Sequence, residues 1–373
     1  MRRTATIAAV VALAATACAS DAPLDTLEPQ GSAARTIQDL VTPVFVVAGV
    51  VFVLVMAAIV FIVVRYRAGR SDDPDELPPQ SHGNLGLEIG WTIIPAALLG
   101  AIGIATIITI FDLADQETDD LTVTVTGQQW WWSYEYDIDG DGEGDFITAN
   151  EMVIPADTEV ALDIESRDVI HSFWIPALNG KRDAVPGQDN PLTMQADEPG
   201  TYLGQCTEFC GLSHGFMQMR VQALTEADFD EWVENQMRES VEPSTPEEIA
   251  GQELFGQLCA SCHLIDGVNN DTYEGAAQVS GTAPDLTHLM SRTTFAGSIL
   301  DLYFDVDELS YEEIMSDGVV NVAELEAWLR NPPALKPMAP VPSRGNEFGR
   351  GMPDLNLTED QLDALVAYLT ILE

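Results

Sequence analysis

The sequence predicts a multidomain chain: a two-helix transmembrane hairpin, then an all-β domain, then an all-α domain. Three observations carry this. Val41–Val64 and Ile89–Phe111 are apolar runs without a single charge, each long enough to cross a bilayer as a helix. "LTVTVTGQQW" and "EVALDIES" alternate with period two and are rich in β-branched residues. Beyond the linker "SVEPSTPEE", helix-capping signals replace the alternation. The length of 373 residues allows two or three domains. With 60 acidic against 16 basic residues, the chain is a poor partner for nucleic acid or an anionic membrane surface.

Residues 1–17 read as an export signal: Arg2 and Arg3, a short apolar stretch, then small residues. "AATAC" places Cys18 as a lipoprotein site, although Ala15 replaces the usual leucine; ordinary cleavage or an uncleaved anchor are the rival readings. The hairpin covers 41–111. Arg65, Arg67 and Arg70 follow its first span, so the connecting loop is cytoplasmic and all that follows Phe111 lies outside. Neither span carries an ionisable group, so the hairpin is an anchor and not a proton path. The β domain occupies 119–240 and ends in an acidic helix capped by Thr225. The helical domain occupies 247–373. Thr245-Pro246 opens its first helix, Asn321 with Glu324 caps another that ends before Pro332-Pro333, and Thr358 with Gln361 caps the last.

The helical domain contains Cys259-Ala260-Ser261-Cys262-His263, a C-x-x-C-H attachment signature for covalent haem c. His263 would ligate the iron from one side. A methionine from a loop before the last helix would supply the other ligand and raise the potential. Met352 precedes that helix directly and is preferred over Met338; Met290 is core filler. In the β domain, "CTEFCGLSHGFM" places Cys206, Cys210, His214 and Met217 on one short loop. Thiolate, thioether and imidazole together select copper. A single blue-copper ion needs one cysteine and two histidines, so this loop has a cysteine too many and a histidine too few. His171, in "DVIHSFWIP", can supply the missing imidazole, and two cysteines can bridge two coppers. A Cys206–Cys210 disulfide or a zinc site are the alternatives.

These motifs, with "GQQWWWSYEY" and "KRDAVPG", resemble subunit II of haem–copper cytochrome c oxidases over about residues 40–373, in the caa3-type arrangement with a fused C-terminal cytochrome c. The resemblance implies a cupredoxin sandwich holding a binuclear CuA centre, followed by a class I cytochrome c domain. It implies copper ligation by His171, Cys206, Cys210, His214, Met217 and the carbonyl of Glu208. The Glu208 carboxylate would also hold magnesium against subunit I. Electrons would enter at Trp130, while one of Trp131 and Trp132 is plain packing. Lys181 and Asp183 fall in the loop facing subunit I. The implied function is to take electrons from haem c to copper and on to subunit I, where oxygen becomes water and protons are pumped. The implied partners are subunits I and III, a donor such as a cytochrome bc complex, and membrane lipid. The implied location is a bacterial cell membrane, with both soluble domains on the outer side. A copper-type nitric oxide reductase subunit and a free-standing membrane electron carrier are the competing functions.

Two stretches depart from the family pattern. Asp137–Phe146 is long and acidic and starts like a calcium loop, but Thr148 stands where a glutamate is needed, so an acidic turn is expected. Residues 294–320 read as an insertion without an assigned job. His82 and His288 read as ordinary surface or core histidines.

Overall fold

A computed structural model describes residues 23–67, 82–114, 121–269, 283–339 and 350–373. The expected export signal, Cys18, Arg70 and the start of the β domain at 119 lie outside these residues. The chain divides into two compact units. One is Arg35–Asp115; the other comprises the N-terminal residues to Ala34 and everything from Gln116 onward.

The first unit contains two helices, α1 (Ser32–Arg65) and α2 (Leu85–Ala114). Both are longer than the apolar runs that predict them, and their windows reach mean hydropathies of 3.3 and 2.4 with none of those residues buried. Side chains such as Phe52, Phe61 and Ile108 face outward, which only a lipid surround makes favourable. Pro43 and Pro95 sit inside the helices, as transmembrane helices tolerate.

The second unit begins with a β-sandwich. One sheet has five strands in the order β3-β2-β1-β5-β8 and the other three in the order β4-β10-β9. The strands of the first are β1 (Thr122–Gln128), β2 (Trp131–Asp137), β3 (Phe146–Ala149), β5 (Val160–Ser166) and β8 (Asn190–Met194). Those of the second are β4 (Glu151–Pro155), β9 (Gly200–Gln205) and β10 (Gln218–Leu224). A two-stranded hairpin, β6 (His171–Phe173) with β7 (Arg182–Ala184), stands beside them. The alternation read in the sequence becomes burial: Val160, Leu162, Ile164 and Ser166 point inward along β5, with more open residues between them. Trp132, Tyr134, Tyr136 and Phe173 are fully buried, and Trp132 and Tyr134 each meet Phe173 edge-on. Helix α3 (Glu226–Gln236) closes the sandwich. Thr225 caps it by accepting from Asp228 N, and Trp232 packs against Tyr136 and Phe146.

The C-terminal part is helical: α4 (Pro246–Leu258), α5 (Tyr311–Asp317), α6 (Val322–Arg330), α7 (Pro332–Leu335) and α8 (Glu359–Leu369). The predicted caps are present. Thr245 with Glu248 and Thr358 with Gln361 form capping boxes, and Asn321 accepts from Glu324 N. Helices α4 and α8 cross at Gly251, where an added Cβ would lie 2.1 Å from Ala364 O and 2.5 Å from Tyr368 Cβ. Only glycine permits that approach.

The segment read as an insertion has a place in the fold. Its short strands β11 (Thr294–Phe295) and β12 (Leu300–Asp301) lie between the helical part and the sandwich. The Glu151 carboxylate, 1% exposed, accepts from Thr293 N at 3.0 Å and Thr293 Oγ1 at 2.6 Å. Ser298 Oγ donates to Asn150 O, Gly297 O accepts from Gln218 N, and Tyr311 joins the sandwich core. In the acidic turn, Asp137 accepts from Gly140 N and Gly142 N, and Asp139 from Asp141 N. Thr148 is buried in β3 and accepts from Arg292 Nε, while one carboxylate oxygen each from Asp137, Asp139 and Asp145 lies within 4.8 Å of the other two.

Candidate metal centre

Residues 206–217 form the connection between β9 and β10. The antiparallel register Gln205↔Gln218 ends the ladder, and Cys206 N donates to Met217 O at 2.9 Å just beyond it. Thr207 N donates to Ser172 O and Gln205 N to Trp174 O, which ties the loop to the strand carrying His171. The loop is thus fixed at both ends by backbone bonds.

Within it, Cys206 Sγ and Cys210 Sγ are 3.8 Å apart, hydrogen-bonded and not joined in a disulfide. Cys210 Sγ lies 3.6 Å from His214 Nδ1 and 3.8 Å from Met217 Sδ, and Cys206 Sγ lies 3.3 Å from Glu208 O. One ligand atom each from His171, Cys206 and Cys210 falls within 4.8 Å of the other two. Cys206, Cys210, Met217 and His171 are all buried. Five predicted side chains and the predicted carbonyl therefore meet in one place.

His171 shows what the pocket is built for. Its Nε2 lies 2.9 Å from Asp168 Oδ1. A carboxylate only accepts, so Nε2 carries a proton, and in the neutral ring that binds metal the lone pair is on Nδ1. Nδ1 is buried without a hydrogen-bond partner among the described residues. A buried lone pair beside two thiols is the signature of a ligand atom. The thiol pair shares its protons unequally. The hydrogen bond from Cys210 pushes Cys206 down to about 4, while the neighbouring thiolate holds Cys210 above its usual range. One thiolate is thus ready-made, and metal binding would displace the second proton. The donor set fits copper.

Asp168 escaped the sequence reading. It also accepts from Gln129 N at 2.9 Å and Val169 N at 2.7 Å, and faces Arg350 Nε at 3.5 Å. Burial alone would raise its carboxyl; the bonds from His171, Gln129 and Val169 outweigh that and hold it below the ordinary value. Its position three residues before His171 was the available signal.

Trp130 is 5% exposed, and its indole Nε1 donates to Cys210 O at 3.1 Å, beside Gln129 Nε2 on the same carbonyl. Trp131 and Trp132 are both buried; Trp132 is the one that meets the His171 ring edge-on. Asp183 is exposed on the strand paired with that of His171, and Lys181, also exposed, immediately precedes that strand. Glu208 is exposed too. The loop's outer side is apolar, with Phe209 76% and Leu212 60% exposed.

In the C-terminal part, Cys259 and Cys262 are not joined in a disulfide and are half-buried. His263 Nδ1 is 2.7 Å from Pro284 O, which leaves Nε2 for a ligand. Burial pushes its imidazole below the ordinary value, toward the neutral form that binds metal. The chemistry fits a covalent haem with an axial histidine. Met352 packs with the helical core, whereas Met338 packs against the sandwich core and accepts from Met352 N at 3.3 Å. His82 is exposed, and both ring nitrogens of buried His288 face backbone carbonyls, of Glu373 and Arg238.

Comparison with known proteins agrees with this geometry. The family model of the cytochrome c oxidase subunit II periplasmic domain matches residues 137–224, and that of its transmembrane domain matches 27–108. Cytochrome c oxidase subunit 2 of Alkalihalophilus pseudofirmus is 34% identical over 367 residues, covering 96% of this chain and 93% of the relative. The protein of that name from Bacillus subtilis is 30% identical over 362 residues, covering 93% and 91%. Quinol oxidase subunit 2 of Bacillus spizizenii is 33% identical over 223 residues, covering 57% of this chain and 67% of the relative. Two apolar helices, a sandwich with a buried dithiol–imidazole cluster and relatives matched almost end to end lead to one conclusion: the chain belongs to the cytochrome c oxidase subunit II family, the electron-input subunits of haem–copper oxidases that work with subunit I and hold a binuclear copper centre.

Proposed function

We propose that this chain is a caa3-type subunit II that carries its own cytochrome c and serves an oxygen-reducing, proton-pumping subunit I. The observation that carries this is the junction of the two soluble parts. The C-x-x-C-H domain and the copper loop lie in one compact unit, joined by buried contacts, rather than hanging on a free tether. The end-to-end match to relatives named for cytochrome c, against partial coverage by a quinol oxidase relative, supports the same reading.

His171, Cys206, Cys210, His214, Met217 and the Glu208 carbonyl would hold the copper pair. Cys259, Cys262, His263 and Met352 would hold haem c. Bound there, the two groups supply one-electron redox centres. The residues of the chain do the rest. Asp168 fixes the His171 tautomer and ring. Burial of both thiols excludes water and keeps the site from reorganising. Trp130, bonded to the Cys210 carbonyl, gives the donor side a direct connection to a ligand residue. Exposed Phe209 and Leu212, with Glu208 beside them, form the face that would seat on subunit I, where Glu208 would share a magnesium ion. The membrane helices contain no ionisable residue in their apolar windows, which leaves proton movement to the partner subunit.

The test is purification of the complex through a tag on this chain. The expected results are a covalently bound haem, copper near two per chain, and cyanide-sensitive oxygen uptake from a reduced c-type donor. Nitric oxide consumption without oxygen uptake would transfer the same centres to a reductase. Recovery of the chain without a haem-bearing partner would reduce it to a membrane electron carrier.

A further inference from the structure

We infer that the C-terminal domain is latched over the Trp130 face, so that the copper centre is closed to outside protein donors and takes electrons only by way of this chain's own haem domain. The inference rests on the haem reading proposed above, but the latch itself is read from geometry.

Two segments of the C-terminal domain, one at Gly297 and one at 336–338, converge on Trp130 and the ligand loop. Lys336, one of only two lysines in the chain, is 3% exposed. Its Nζ donates to Trp130 O at 2.7 Å and Ala296 O at 2.8 Å. Lysines are almost never buried without a partner, so this one marks a position where the backbone must be held. Next to it, Ser213 Oγ bonds Pro337 O, directly beside the ligand His214. Gly297 fills the remaining gap at φ 83°. A Cβ there would lie 2.8 Å from Phe216 O and 3.5 Å from Trp130 O. Met338 completes the cover by packing on the core that includes Trp130. Behind the seal, the buried Glu151–Thr293 bonds and Arg220, 3.3 Å from Asp307 and 3.8 Å from Asp301, hold the same segment down.

A soluble cytochrome must approach the tryptophan closely, and here Trp130 is buried, with Lys336 and Gly297 of the C-terminal domain gathered at its carbonyl. The segment 294–320 thus acquires a role: it sets donor specificity by filling the docking surface permanently. Residues 336–338 do the same from the other side.

The experiment uses the intact holo-oxidase and three forms of this chain: wild type, Lys336→Ala and Gly297→Val. Both variants lie outside the proposed ligand sets. Hydrogen–deuterium exchange of peptides spanning 127–134 and 210–218 reports the seal without reference to turnover. Stopped-flow mixing with a reduced soluble c-type cytochrome then follows the covalent haem and the copper band separately, each donor giving up one electron. In wild type, both peptides should be protected, and copper reduction should lag behind the covalent haem. Loss of the two buried hydrogen bonds in Lys336→Ala, or the wedge in Gly297→Val, should speed exchange about tenfold or more and remove the lag. The inference is overturned if wild-type copper is reduced ahead of the covalent haem, if neither variant changes exchange, or if the peptides open and the lag persists. Absence of any covalent haem would instead refute the donor-domain reading, while the exchange arm would still decide the latch.

Discussion

Replacing Asp168 by asparagine should weaken copper binding by about 10- to 100-fold, roughly 1.4–2.7 kcal/mol. The side chain is almost isosteric, so the effect isolates charge and hydrogen-bond polarity. In the native site, Oδ1 faces His171 Nε2 at 2.9 Å and Val169 N at 2.7 Å, while Oδ2 takes Gln129 N at 2.9 Å. Asparagine can still accept on one side, which turns charge-assisted bonds into neutral ones at a loss of about 1 kcal/mol. Its amide then points N–H at N–H toward Gln129, leaving a buried donor unpaired at about 1–3 kcal/mol. The ring can escape by rotating or by moving its proton to Nδ1, and either change removes the lone pair that faces the thiols. The assay is competition for copper against a chelator of known affinity, with His171 followed by NMR in the metal-free chain. Arg350→Gln is the control: it removes the other charge near Asp168, 3.5 Å away, but not the bond to His171. An asparagine variant that binds copper within about twofold of wild type, with the His171 tautomer unchanged, would refute the argument.

Three further outcomes follow from the same geometry. Burial raises the Glu151 carboxyl above its ordinary value, against the opposing bonds from Thr293 and the charges of Arg220 and Arg292. A raised carboxyl means the folded state binds the proton more tightly, so stability should fall as pH rises from the ordinary carboxylate value through the raised one. Glu151→Gln should flatten that slope in urea midpoints measured across pH, with Asp285, also raised by burial, leaving a residue of it. Met352→Leu should lower the haem potential in a redox titration and Met338→Leu should leave it close to wild type, because only a lost axial thioether shifts it strongly. Gly251→Ala should destabilise the helical domain by about 1–3 kcal/mol in denaturant melts, since the new methyl meets the backbone carbonyl of Ala364 and not a side chain that can move.

What the sequence made legible was local or carried by a motif. Thr225, Thr245, Asn321 and Thr358 cap helices through bonds that reach three residues ahead, and such bonds can be read from spacing alone. The ligand loop is equally local; only His171 had to be brought from elsewhere. What stayed hidden depends on contacts between distant residues. Glu151 meets Thr293 across a separation of 142 residues, and Lys336 meets Trp130 across 206. Neither has a period or a spacing. Glu151 did leave a trace, as a charge opening the otherwise apolar strand "EMVIP", every residue of which is buried. Lys336 left another, as a rare cation set against proline in a strongly acidic chain. Segment 294–320 looked idle because the few residues that meet the sandwich, Ser298 and Tyr311 among them, are scattered among solvent-exposed acidic ones such as Asp307, Glu312 and Glu313.

The way the ligand loop is mounted explains why one short segment can serve a donor and an acceptor at once. Its two ends are pinned by the β9–β10 ladder and the Cys206–Met217 backbone bond, so its sulfurs cannot drift when charge changes. A loop so fixed presents two faces of opposite character. One holds Trp130, Ser213 and Gly297 in a polar seam sealed by Lys336. The other leaves Phe209 and Leu212 bare, an apolar cost that a partner subunit would remove. Direction therefore does not require moving parts. It follows from which face is already covered by this chain and which one is left for another.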